Sequence, residues 1–73
     1  MKFYATFGWN SILRDNYVEV PTTTDEPEDA RMKMMEVYGQ NWAFIYDEQD
    51  KPTCIDAYFL KEVPFGTPNA RRP

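Results

Sequence analysis

The sequence predicts an α+β fold: a single small domain in the order β-β-α-β-β, with one helix packed on one face of a mainly antiparallel sheet. Three observations predict it. Residues 1–9 and 17–20 alternate apolar and polar with a period of two, which marks half-buried strands. One stretch with helical periodicity follows an acidic turn that contains proline, and two more apolar stretches lie beyond it, at 42–46 and 55–63. At 73 residues the chain holds one core, because a domain this small buries only about 60% of its unfolded surface. The domain is expected to span residues 1–65, with 66–73 as a flexible C-terminal tail.

In "MKFYATFGW", Met1, Phe3, Ala5, Phe7 and Trp9 fall on one side, and Lys2, Tyr4 and Thr6 on the other. Gly8 marks a bulge or a turn with positive φ. "NSILRDN", residues 10–16, mixes turn formers with Ile12 and Leu13 and reads as a loop. In "YVEV" Val18 and Val20 point inward and Tyr17 and Glu19 outward, until Pro21, which offers no ladder donor, ends the strand.

"TTTDEPED" reads as a helix start. Asp25 is placed to cap, Glu28 stands three positions on as in a capping box, and Pro27 lies in the first turn, where a missing N–H costs nothing. Asp25, Glu26, Glu28 and Asp29 crowd the positive end of the helix dipole, so a capped, solvated helix start explains this run better than an acidic binding site. The helix is expected from about Glu26 to Tyr38, with Gly39 as its C-terminal cap. Ala30, Met34, Val37 and Tyr38 share a stripe about 100° wide, the expected core face. Met32 and Met35 project to the far side, among Glu28, Arg31 and Glu36. Either a loop or the tail covers them, or they form a partner surface, for which flexible and polarizable Met is suited.

"WAFIY", residues 42–46, is apolar on both sides of an extended strand. It is expected to be an interior strand, one side under the helix's Ala30, Met34 and Val37 and the other covered by further chain or by a partner. Parity leaves open whether Trp42, Phe44 and Tyr46 or Ala43 and Ile45 face the core. "DEQDKPT" reads as a polar loop, and Ile55–Val63 as a strand or two short ones. "PFGTPNARRP" is expected to fray, with Phe65 able to tack it to the body.

The stock of catalytic groups is thin. With no His and a single Cys, a structural zinc site and an internal disulfide are both excluded, and no cofactor is implied. Cys54 has no His to activate it and no helix N-terminus to lower its pKa, so it reads as a buried or incidental thiol. Asp47, Glu48 and Asp50 lack the ligand order of a calcium loop and read as a solvated turn. Gly8, Gly39 and Gly66 form no phosphate loop. Twelve acidic side chains against eight basic ones argue against direct nucleic-acid binding, which depends on Lys and Arg releasing counterions. Arg71 and Arg72 hold two of those eight, so residues 1–70 carry six bases against 12 acids. No signal peptide and no apolar run of the roughly 20 residues that span a bilayer is seen, and the expected location is the cytoplasm.

"YATFG" at 4–8, then "YVEV", "EDARMKMMEVYG" and "NWAFIYDE", resembles the small uncharacterised proteins encoded in many bacteriophages, particularly those of actinobacteria. The resemblance covers residues 3 to about 63 and rests on the order and spacing of its motifs together. It matches Tyr4, Thr6, Phe7 and Gly8, then Ala30 and Arg31, then Trp42, Ala43, Phe44 and Tyr46, which read first as scaffold. It implies a phage accessory product acting in the cytoplasm of an infected host and assigns no activity.

The expected function is therefore a non-catalytic, acidic protein-interaction module that binds a host or phage protein, with candidate contacts at Tyr4, Tyr17, Met32 and Met35. A host-takeover or anti-defence version would place the acidic body against the basic groove of a nucleic-acid-handling system. The alternative is a structural or homo-oligomeric accessory protein, a homodimer for instance, that pairs through its aromatic sheet face.

Overall fold

A computed structural model describes residues 1–69, and the expected Arg71-Arg72-Pro73 terminus lies outside them. Two short antiparallel strands form the centre: β1, Phe3–Thr6, and β2, Asn16–Val20, paired Phe3 to Val20 and Thr6 to Tyr17. β3, Ile45–Asp47, flanks β1 antiparallel, and β4, Lys61–Glu62, flanks β2 parallel, giving a mixed sheet in the order β3-β1-β2-β4. The α+β class holds. The element order differs, because "KPT", expected in a loop, begins a short helix and "DAY", expected in a strand, forms a 3₁₀ turn: α2, Lys51–Cys54, and the 3₁₀ turn, Asp56–Tyr58, intervene between β3 and β4.

The sheet has two covered faces. Phe3, Ala5, Val18 and Val20 alternate onto one side and pack with Ala30, Met34 and Tyr38 of helix α1, Pro27–Tyr38. Met34 and Ala30 are fully excluded from water. On the other side Tyr4 and Tyr17 meet edge to face, with centroids 5.8 Å apart, beneath the fully buried Ile55 and the half-buried Leu60 and Tyr46.

α1 ends as its sequence predicts and begins differently. Gly39 takes φ 60° and donates its N–H to Met35 O, the left-handed stop that glycine permits without steric cost. At the other end Glu26, not Asp25, occupies the cap position, with no side-chain cap bond. Asp25 instead ion-pairs with the N-terminal ammonium. The reach-back role belongs to Asp29, whose Oδ2 accepts the N–H groups of Thr23 (2.9 Å) and Thr24 (3.3 Å). Those bonds hold the Asp29 carboxyl below its usual value, with the Thr23 N–H the largest cause. Val37, expected in the core, is half exposed because Tyr38 turns inward beside it.

Two other expectations fail for reasons of chain direction. Trp9 is 82% exposed, since the strand ends at Thr6 and the turn through Gly8 breaks the alternation. β3 is an edge strand rather than an interior one. Its pairing with β1 contains an extra residue: Thr6 donates to Phe44 O (3.0 Å) yet accepts from the Ala43 N–H (2.8 Å), so one residue opposes two. Such a bulge reverses the alternation beyond it. Trp42 and Ile45 therefore both pack against the helix-side core, Tyr46 joins the opposite cluster, and Phe44 is left 62% exposed.

The tail expected to fray from residue 66 is tied to the body through Asn69. The Tyr38 hydroxyl accepts the Gly66 N–H (3.0 Å) and donates to Thr67 O (2.9 Å), while its ring stacks edge to face on Phe7 and Phe65. Asn69 donates to Asn41 O (2.7 Å) and contacts the Ser11 hydroxyl.

Candidate functional site

The surfaces expected to bind a partner divide sharply. Tyr4 and Tyr17 alternate away from α1 as their sequence positions require, but each is 7% exposed. Ile55 closes that face, and the Lys51 ammonium lies 5.5 Å and 5.3 Å from the two ring centroids, within reach of a cation–π contact. Asp56 fixes the lysine there through a 2.8 Å hydrogen bond, which holds the Lys51 ammonium above its usual value. Burial likewise pushes the Tyr4 and Tyr46 phenols up. The open aromatic face is thus filled by the chain's own α2 segment, a cover that required Lys51–Cys54 to be helical rather than loop and Asp56–Tyr58 to be a 3₁₀ turn rather than strand.

Met32 and Met35 stand on the outer face of α1, 69% and 50% exposed. No loop or tail among the described residues buries them.

The sheet's opposite side carries a surface that sequence reasoning missed. Tyr58 is 71% exposed and Phe59 88%. Phe59 also has φ 57° and ψ 33°, and it is the one non-glycine residue with positive φ among the described residues. The reason is the way the 3₁₀ turn stops. The Phe59 N–H donates to Asp56 O (3.0 Å) and the Leu60 N–H to Ile55 O (3.4 Å), and Leu60 packs with Ile55 in the same cluster. This is the paired-bond helix stop that normally takes glycine at its left-handed position. A left-handed conformation costs a residue with a Cβ about 1–2 kcal/mol, and an exposed ring returns none of it by packing. The one legible signal was "YF" in a stretch too short to bury both rings.

No protein-family model, curated protein or solved structure matches the chain. The site's chemistry has to be read from its own residues. Cys54 is half-buried with the Thr53 hydroxyl 3.7 Å away as its polar neighbour. Asp47 turns its carboxylate onto the N–H groups of Gln49 (2.9 Å) and Asp50 (3.0 Å), which makes it a turn residue. Among the described residues no three His, Cys, Asp or Glu side chains converge on a metal-sized space, and no helix is long and apolar enough to cross a membrane. What these surfaces offer is exposed aromatic and thioether area on an acidic body.

Proposed function

We propose that this chain is a small acidic protein-binding module that inserts the Tyr58-Phe59 turn into an apolar pocket of a partner protein with a basic rim. The observation that carries the reading is Phe59: a bulky ring held outside the protein in a backbone conformation that glycine would adopt at lower cost. Strained residues persist where the surrounding structure holds them, and they cluster at functional positions. Residues 47–62 carry five acids against two bases, so the surroundings of the turn favour a cationic rim and disfavour an anionic lipid surface. Met32 and Met35 add a second adaptable apolar surface on the other side of the sheet.

The resemblance to phage accessory proteins supports a host or phage protein as the partner, in the host cytoplasm, and the acidic body suits a host nucleic-acid-handling protein as the target of takeover or anti-defence. The module needs no catalytic step. A homodimer built on the Tyr4 and Tyr17 face would first have to displace Ile55.

The test is an affinity capture from actinobacterial host lysate with the wild-type chain, Phe59→Gly, and the Met32→Glu, Met35→Glu double variant. Phe59→Gly should lose the captured partner while remaining at least as stable as wild type. Retention of the partner by Phe59→Gly would sink the proposal, and loss only in the methionine variant would move the surface to α1.

A further inference from the structure

At the C-terminal end of α1 a cleft of about 150 Å³ opens between the turn at Gly8–Ser11 and the turn at Gln40–Trp42, closed on one side by Asn69. Four of the chain's six carboxamide side chains line it: Asn10, Gln40, Asn41 and Asn69, with only Asn16 and Gln49 elsewhere. They arrive from three distant segments of sequence. No charged side chain lines the cleft among the described residues, although 27% of the chain is Asp, Glu, Lys or Arg. Ser11 and Trp42 complete the wall. The Trp42 indole N–H is already engaged by Gly39 O at 2.8 Å, so the carbon framework of the ring is what it offers a ligand. Asn69 is committed to Asn41 O and Ser11 and acts as a fixed post. Asn10, Gln40 and Asn41 are exposed and supply the adaptable amides.

We infer that this cleft binds a neutral saccharide unit. Each carboxamide presents a donor and an acceptor together, the pairing that adjacent hydroxyls on a sugar ring satisfy. Amides arriving from several sides suit a ligand with hydrogen-bonding groups around its whole perimeter. An indole wall suits the C–H face of such a ring, because Trp combines large apolar area with a fixed orientation. The absence of a lining cation disfavours phosphates and carboxylates, and the absence of a lining carboxylate disfavours amines. The site is separate from the Tyr58-Phe59 turn and does not depend on it.

Amide NMR of the isotope-labelled full chain, titrated with glucose, galactose, mannose and N-acetylglucosamine to about 50 mM, tests the assignment. At least one sugar should shift the Asn10, Ser11, Gln40 and Asn41 signals saturably, and the Asn10→Ala, Gln40→Ala double variant should weaken that response by about tenfold. Both positions are exposed, so the variant's remaining spectrum should match wild type. The proposal is overturned if no sugar produces saturable shifts or if the double variant responds undiminished. It is equally overturned if glucose 6-phosphate, adenosine or a blocked dipeptide amide binds more tightly than every neutral sugar.

Discussion

At the residue scale the chain contains positions whose side chain and backbone make opposite demands. Phe59 is the clearest. Replacing it with glycine removes the left-handed penalty and almost no packing, so Phe59→Gly should stabilise the fold by about 1 kcal/mol, a rise in Tm of about 4–8 °C for a domain of this size. Thermal unfolding followed by circular dichroism reads this directly, and a fall in Tm would show that the ring contributes contacts to the folded state. Met34 and Met32 form an opposing pair two positions apart. Met34 is fully buried, so Met34→Ala should cost about 2–5 kcal/mol, whereas Met32→Ala on the exposed face should stay within about 0.5 kcal/mol. Urea titration of the two variants separates core from surface on one helix. The stripe of Ala30, Met34 and Tyr38 was legible from a 3.6-residue period. The exposure of Val37 was not, because a period fixes the direction of a side chain and not the depth of its cover.

At the element scale, α2 and the 3₁₀ turn decide what the sheet looks like from outside. Ile55 joins them to the Tyr4–Tyr17 pair, and Lys51 reaches the same rings from the start of α2. Ile55→Ala should cost about 2–5 kcal/mol and expose the two tyrosines, seen as a gain in dye binding to apolar surface without loss of the sheet's circular dichroism signal. Were Ile55→Ala to leave dye binding unchanged, α2 would not be the lid on that face. The Tyr38 hydroxyl ties the chain at Gly66 and Thr67. Tyr38→Phe keeps the ring and removes both bonds, so it should cost about 1–3 kcal/mol and speed hydrogen exchange at Gly66 while leaving Ala5 protected. Elements that alternate cleanly, β1, β2 and α1, could be read from their pattern. The stretch at 55–63 could not, because a short apolar run fits a strand and a helical turn equally well and only its packing partner decides.

For the whole molecule, two apolar clusters lie on opposite faces of one thin sheet, and the radius of gyration of 11.3 Å matches the roughly 11 Å of a compact chain this long. Its pH response follows from the perturbed groups. Asp29 is held below its usual value of 3.8, so its contribution is complete above that value and is lost as pH falls through the depressed one. Lys51 is held above its usual value, chiefly by its Asp56 hydrogen bond, and Tyr4, Tyr38 and Tyr46 by burial; their contributions are complete below the usual values near 10 and are lost as pH rises through the raised ones. Stability should therefore be level through neutrality and fall at both extremes. Urea midpoints measured across the range check this, and in Tyr38→Phe the alkaline fall should be shallower because one of the four groups is gone.

The sequence by itself determined the α+β class, the C-terminal end of α1 at its glycine stop, the inward sets Phe3, Ala5, Val18 and Val20, and an acidic body without histidine. These are properties of neighbours along the chain: period, capping and charge need no distant partner to be defined. Only the tertiary structure decided that Tyr4 and Tyr17 are covered, that a bulge at Ala43-Phe44 turns both Trp42 and Ile45 to the core, that Phe59 is held outward in a left-handed turn, and that four carboxamides from three segments meet at one cleft. Each of those depends on which distant segment arrives to fill a space, and the free energy of filling it is absent from any local pattern.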